Sequence, residues 1–395
     1  MANVSSSNGL EKYPKLRFKG FSEPWKTVRI GDVYAERSER GAEDMELLSV
    51  TMNDGVKMRS DIEGKDNSSE DKSNYKIVRA GDMVYNSMRM WQGANGISPW
   101  DGIVSPAYTV LKPRMPISNG FFAALFKTHR LINEFRKNSQ GMTSDTWNLK
   151  YPQIETIKTC IPVLAEQEKI TDFLMALDQR IEKQRTLVEH LKKYKRGLLS
   201  SLLDKEEWQT VLMQDVACGF DYGMNSAATE YDGRHKYIRI TDIDESTHKY
   251  ISTECVSPSD IPEAKYKVEE NDILFARTGA SVGKSYIYDS RDGDLYYAGF
   301  LIRASVKPDF NSYFVYLNTL TLGYQRWVVL ESTRSGQPGI NAEQYRNYKF
   351  KCPPIEIQNK IANIFIHFDL KLQREQEILD YLLNYKKAMM QNIFV

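Results

Sequence analysis

One long stretch of this chain occurs twice. A shift of 191 positions places Ile161-Pro162, Gln167, Lys169-Ile170, Leu177-Asp178, Leu191, Tyr194-Lys195 and Leu198 on Cys352-Pro353, Gln358, Lys360-Ile361, Phe368-Asp369, Leu382, Tyr385-Lys386 and Met389, with no gap. Both copies carry apolar residues at alternating spacings of four and three. In the first these are Ile170, Leu174, Leu177, Ile181, Val188, Leu191, Leu198 and Leu202; in the second, Ile361, Phe365, Phe368, Leu372, Leu379, Leu382, Met389 and Ile393. That spacing is a heptad seam. The interruptions match as well, Gln184 with Glu375 and Lys195 with Lys386. Two unrelated surface helices, each packing on its own domain, would not share a register together with its flaws, so the chain is read as a duplication. Ile170 to Leu202 is 33 residues, about 50 Å of helix at 1.5 Å per residue.

The duplication reaches the domain starts. Trp25-Lys-Thr-Val-Arg-Ile-Gly-Asp-Val33 is echoed by Trp208-Gln-Thr-Val-Leu-Met-Gln-Asp-Val216, Gly81 to Tyr85 by Asn271 to Phe275, and Lys112-Pro113 by Lys307-Pro308. The drifting offsets mean loops of different length. Short β-rich runs (Tyr75 to Val78, Met83 to Tyr85, Tyr108 to Leu111, Lys236 to Ile240, Phe300 to Val306) are punctuated by Gly, Pro, Asp and Asn. A helical-looking segment, Phe121 to Asn138 or Ser312 to Leu330, precedes each closing turn. The expected architecture is therefore α+β: two tandem domains with twisted β-sheets, separated by two long helices. The expected boundaries are 1–163, with 1–14 as a flexible tail, then helix 164–204, domain 205–354 and helix 355–395. Gly64 to Asn74 and Asp289 to Asp294 read as polar loops.

Chain order constrains how the helices pair. Parallel pairing would set Lys195 against Lys386 and force the second domain to bridge about 50 Å. Antiparallel pairing removes both difficulties and keeps that domain's ends together. A dumbbell with pseudo-two-fold symmetry is expected.

Composition excludes more than it selects. With 41% apolar and 27% charged residues in 395, the chain is too long for one core and too apolar for wholesale disorder. Neither a leader nor an apolar run near eighteen residues occurs, so a cytoplasmic location is expected. Cys160, Cys218, Cys255 and Cys352 form no C-x-x-C pair and read as buried free thiols. The five histidines are equally dispersed, and no metal site is expected. A net charge of +1 makes no electrostatic case for nucleic acid by itself.

Catalytic motifs fail on inspection. Gly279-Ala-Ser-Val-Gly283-Lys284-Ser285 approaches a phosphate-binding loop, but three residues rather than four separate the glycines, and Tyr286-Ile287-Tyr288 looks like a strand rather than a helix. The only Pro-Pro, Pro353-Pro354, lies between Cys352 and Ile355, which is not a methyltransferase motif. Asp260, Glu263 and Lys265 could suggest a nuclease but fit a charged turn better. Two matched pairs of segments remain. Asn86 to Gly96 contains Asn86, Arg89, Trp91, Gln92 and Asn95; Ala276 to Lys284 contains Arg277, Thr278, Ser281 and Lys284. Gly141 to Asn148, with Thr146 and Asn148, is matched by Arg334 to Asn341, with Arg334, Gln337 and Asn341. Such side chains read base edges, and glycine lets backbone approach phosphate. They suit structural turns equally well.

The opening Pro14-Lys-Leu-Arg-Phe-Lys-Gly-Phe21, the run Gly81 to Asn86 continuing to Trp91-Gln92-Gly93, the run Asp272 to Gly279, and the two Pro-to-Gln helix starts together resemble the specificity subunit of type I restriction-modification systems, over nearly the whole chain. The resemblance implies that each domain contacts one half of a split DNA site, that the antiparallel helices fix the spacing, and that the chain has no catalytic centre or cofactor of its own. Two modification subunits would bring S-adenosylmethionine and methylate adenine; restriction subunits would bring ATP- and Mg-dependent translocation and cleavage. It also implies that Arg89, Trp91, Gln92, Arg277, Thr278 and Lys284 lie near DNA. The alternative from another class is a structural scaffold with two protein-binding domains. One extra turn in a spacer helix, about four residues and 6 Å, is expected to widen the unread gap by one or two base pairs.

Overall fold

A computed structural model of the chain describes residues 2–3, 12–41, 44–52, 55–64, 66, 68–333 and 338–395. Two compact units emerge, Met1–Arg185 with Glu377–Val395, and Thr186–Gln376. Each takes part of both long helices, so the units follow spatial packing and cut across the linear order of domain and spacer.

In the first unit the repeat that begins at Trp25 becomes a strand, Lys26–Arg29, running into a single helical turn, Ile30–Val33. Asp32 closes that turn by accepting from the Arg29 N–H at 2.8 Å. The strand pairs antiparallel with Lys158–Ile161, tying the domain's beginning to its end. Between them lies an antiparallel four-stranded sheet ordered Tyr34–Glu36, Tyr108–Pro113, Met83–Asn86, Asn95–Ile97. Alternate residues of a strand face opposite sides. Met83 and Tyr85 accordingly join the main core with Trp25, Phe121 and Phe122, while Val84 joins a second layer with Leu48, Val78 and Val104. The second unit repeats the design. Gln209–Leu212 leads into Met213–Val216, Asp215 accepts from the Leu212 N–H at 2.8 Å, and the strand pairs with Lys349–Cys352. Its sheet runs Ala217–Tyr222, Leu301–Val306, Asp272–Ala276, Ser285–Ile287. Ile273 and Phe275 face one core, Leu274 and Ala276 the other.

Two local expectations change. Each single helix expected before a closing turn is two: Asn119–Leu125 and His129–Asn138, then Ser312–Asn318 and Leu322–Ser332. Thr128 and Thr321 make the break, since each has an extended backbone and a hydroxyl that accepts from an N–H of the new helix, Leu131 or Tyr324. Of the four free cysteines, Cys160 and Cys352 are buried on the closing strands, whereas Cys218 is exposed and Cys255 half-buried. Of the segment 1–14 expected as a tail, Met1 and 4–11 lie outside the described residues, as do Lys65 and Asn67 of the expected polar loop, and Ala2–Asn3 pairs with Leu16–Arg17.

The repeated stretches form helices Leu164–Leu203 and Ile355–Ile393, of 40 and 39 residues. In the first unit, Ile170 and Leu174 near the start of one share a core with Ile393 and Phe394 at the end of the other, and Lys386 forms an ion pair with Asp178. In the second unit, Leu199 and Leu203 share a core with Ile361 and Phe365, Lys195 lies 2.5 Å from Asp369, and the Tyr194 and Phe368 rings are 5.8 Å apart. The pairing is antiparallel within each unit. The lysines that break the heptad pattern are thus half of one ion pair used twice, because Asp178 and Asp369 are repeat mates too. Two seam positions shift: Leu198 and Leu202 are only partly buried, and Leu199 and Leu203 take their place. A straight helix drifts about 20° per heptad, so over the four heptads from Ile170 the buried face moves nearly one residue onward.

The other repeated polar residue is a latch. Gln167 accepts from the Ser118 N–H at 3.1 Å and donates to the Pro162 carbonyl at 2.9 Å; Gln358 accepts from the Asn311 N–H at 3.0 Å and donates to the Pro353 carbonyl at 2.8 Å. Each long helix is thereby fixed to its own domain. The first has an additional tie, since Arg17 donates twice to Glu166, both bonds 2.8 Å and both side chains buried. No helix among the described residues is long and apolar enough to cross a membrane.

Candidate nucleic-acid interface

In the first domain the strand Met83–Asn86 ends in a tight turn. The Asn86 carboxamide accepts from the Met88 N–H at 3.0 Å, and the 3-10 turn Met90–Gln92 then stops at Gly93, whose φ of 87° lies in the left-handed region. Trp91 donates its indole N–H to the Met88 carbonyl at 3.0 Å and meets Trp147 edge to face at 5.3 Å. The Leu149 N–H bonds the Ser87 carbonyl at 2.8 Å. Two segments far apart in sequence, 86–96 and 141–148, therefore form one surface. The Arg136 guanidinium lies over the Trp91 ring at 5.4 Å.

The second domain joins its segments in the same way. The Gly279 N–H donates to the Pro338 carbonyl at 3.1 Å and the Ile340 N–H to the Arg277 carbonyl at 2.9 Å, with Thr278 bridged to Gly339. Arg334 and Gln337 lie outside the described residues.

The structure separates the candidate side chains by what else they do. Asn95 is fully buried and donates to the Gly93 carbonyl, so it turns inward. The Thr146 hydroxyl donates to the Thr143 carbonyl at 3.0 Å, holding its own turn. Asn148 is half-buried, and its carboxamide oxygen has no partner among the described residues. Asn341 caps the helix Ala342–Arg346, in a reciprocal pair with Gln344. Ser281 donates to Glu245 at 2.9 Å. Lys284 is buried, donates to the Ile243 carbonyl at 2.8 Å and lies 2.5 Å from Glu245, whose carboxyl it holds below the usual range. A strand, Ser285–Ile287, follows it. The lysine of the would-be phosphate loop is thus a structural tie, with no helix N-terminus behind it. Likewise Asp260, Glu263 and Lys265 form a charged turn: Asp260 accepts from the Ser226 hydroxyl and Lys265 pairs with Glu263.

Of the other candidates, Asn86, Arg89 and Arg277 line two open clefts, and Trp91, Gln92, Asn148 and Thr278 do not. In the first domain Asn86 and Arg89 share a cleft of about 510 Å³ with Arg59, Tyr108, Ser144 and Asp145. Arg89 is exposed, with one long contact to Gln92 at 3.5 Å. In the second domain Arg277 shares a cleft of about 620 Å³ with Tyr222, Asn225, Arg239, Thr241 and Phe300. Arg239 is held by Asp242 through bonds of 2.8 and 2.7 Å, which raise its pKa further. Sequence reasoning missed Arg59, Arg136, Tyr222, Arg239 and Phe300. Trp147 sat unremarked inside a segment already singled out. The other five come from separate strands and turns and, for Arg136, a helix, and no spacing in the sequence joins them.

Among the described residues no group of His, Cys, Asp and Glu could hold a metal ion. Comparison with known proteins gives a consistent picture. A family model described as the type I restriction modification DNA specificity domain matches twice, over residues 22–190 and 205–384. A Methanocaldococcus jannaschii chain named as the MjaX type I restriction enzyme specificity subunit is 25% identical over 198 residues, 48% of this chain and 46% of that one; the match spans less than half of that relative's length. Two solved structures share the fold. One is the specificity subunit of a type I restriction-modification system from M. genitalium, with a TM-score of 0.60 and 14% identity over 97% of this chain and 99% of that one. The other comes from a study of complex assembly and conformational transition in a type I system, with a TM-score of 0.57 and 16% identity over 94% and 97%.

Proposed function

Because the chain belongs to the type I restriction-modification DNA specificity family, matched once by each of its domains, we propose that it is the sequence-reading subunit of such a system and has no catalytic role of its own. The observation that carries this reading is one sheet frame built twice with differently furnished clefts, Asn86 and Arg89 in one and Arg277 in the other. A pair of identical readers would suit a symmetric site; two that differ suit a bipartite site with unlike halves. DNA is the ligand. Two modification subunits supply S-adenosylmethionine and methylate adenine, restriction subunits supply ATP- and Mg-dependent cleavage, and the long helices set the distance between half-sites.

The test is reconstitution with a modification subunit of a type I system, followed by single-molecule sequencing of methylated DNA. One bipartite motif is expected, and none in cells lacking this chain. Methylation without sequence preference would sink the proposal.

A further inference from the structure

Resting on that reading, we infer that Arg277 reads a guanine and is the main determinant of sequence in the half-site bound by the second domain. Three features single it out. Its guanidinium is mounted between two aromatic rings, 4.7 Å from the Tyr222 centroid and 5.9 Å from that of Phe300. Its Nε is buried with no hydrogen-bond partner, and among the described residues no carboxylate pairs with it. It lines the open cleft of about 620 Å³ with Asn225 and Thr241.

The other cations near it are already engaged: Arg239 with Asp242, Lys284 with Glu245 and two carbonyls, and Arg303 with the Lys267 carbonyl and, at longer range, Asp221 and Asp272. A guanidinium with no internal partner has its donors available to a ligand, and flanking rings hold its plane in one orientation. The planar fork that results matches guanine O6 and N7 in the major groove, the commonest specific contact. A phosphate contact needs only a flexible charge at the rim. Phe300 is 59% exposed; beside the fork it offers an apolar face suited to a thymine methyl.

The first domain has no arginine in that register. The run Gly81 to Tyr85 aligns with Asn271 to Phe275, so the residue in register with Arg277 is Ser87, which is buried and paired with the Thr109 hydroxyl at 2.8 Å. Arg277 therefore belongs to one half-site only.

The experiment compares methylation motifs of the full complex carrying wild-type chain, R277A or R277M; the methionine keeps an unbranched stem between the rings if alanine fails to fold. The wild-type motif is expected to contain a required G·C pair in one half. Both variants are expected to lose discrimination at that pair by about 10- to 100-fold, with the other half and the gap unchanged. An unchanged motif overturns the inference. So does a uniform loss of methylation at all sites with a shallower salt dependence, which marks a phosphate contact. If the wild-type complex shows no motif at all, the proposed function itself fails, which is a separate outcome.

Discussion

Several buried polar residues tie distant segments together, and their removal has calculable consequences. Arg17 and Glu166 form a two-bond ion pair that is almost fully buried. Arg17→Ala leaves a buried carboxylate unpaired and should destabilise the first unit by about 3–5 kcal/mol, measured by denaturant unfolding. The double change Arg17→Met, Glu166→Leu should recover most of that loss, because nothing charged then remains inside. His248 gives a pH-dependent counterpart. It sits at a φ of 57° with its ring against the Ser285 carbonyl at 2.9 Å, and burial holds its pKa below the usual value. The unfolded imidazole titrates near 6.5. The favourable contribution is therefore fully present above about pH 6.5 and is lost as pH falls toward the lower folded value. Thermal melts of wild type should drop more steeply below pH 6.5 than those of His248→Asn, which tolerates the same backbone.

At the scale of elements, the repeat proves to encode junctions. Asp32 and Asp215 close the same turn, Gln167 and Gln358 make the same latch, and Asp178 and Asp369 meet Lys386 and Lys195. Gln358→Ala strands the Asn311 N–H and the Pro353 carbonyl in buried surroundings. It should cost about 1–3 kcal/mol, with amide hydrogen exchange quickening at the start of helix Ile355–Ile393 and in Ser312–Asn318, while Leu164–Leu203 near Ser118 keeps its protection. Equal loosening at both junctions would show that the latches do not act locally. The existence and antiparallel pairing of the helices were legible beforehand, because the heptad spacing and the Lys195/Lys386 clash are properties of the sequence alone. The breaks at Thr128 and Thr321 were not, because a threonine is an ordinary helix residue until its hydroxyl finds the N–H groups of a new turn.

For the whole molecule, helix length is the testable variable. Both long helices run unbroken between the two units' residues, and ion pairs fix their register within each unit. A turn inserted into one helix alone would force one of those pairs out of register. Matched seven-residue insertions, after Arg185 and after Gln376, preserve the seam. They add about 10 Å at 1.5 Å per residue, and the motif's unread gap should grow by about three base pairs at 3.4 Å each. Methylome sequencing reads that gap directly. A gap of unchanged length would separate spacing from the helices.

The sequence by itself determined the duplication, the heptads, the direction of helix pairing and the two-domain plan, because each depends on periodicity or on order along the chain. Only the tertiary structure decided which polar residues remain available. Lys284 and Arg277 lie seven positions apart in the same candidate segment and are equally plausible on paper. Folding turns one inward to Glu245 and the Ile243 carbonyl and leaves the other unpaired between Tyr222 and Phe300. Burial and pairing depend on residues distant in sequence, and no local pattern carries them.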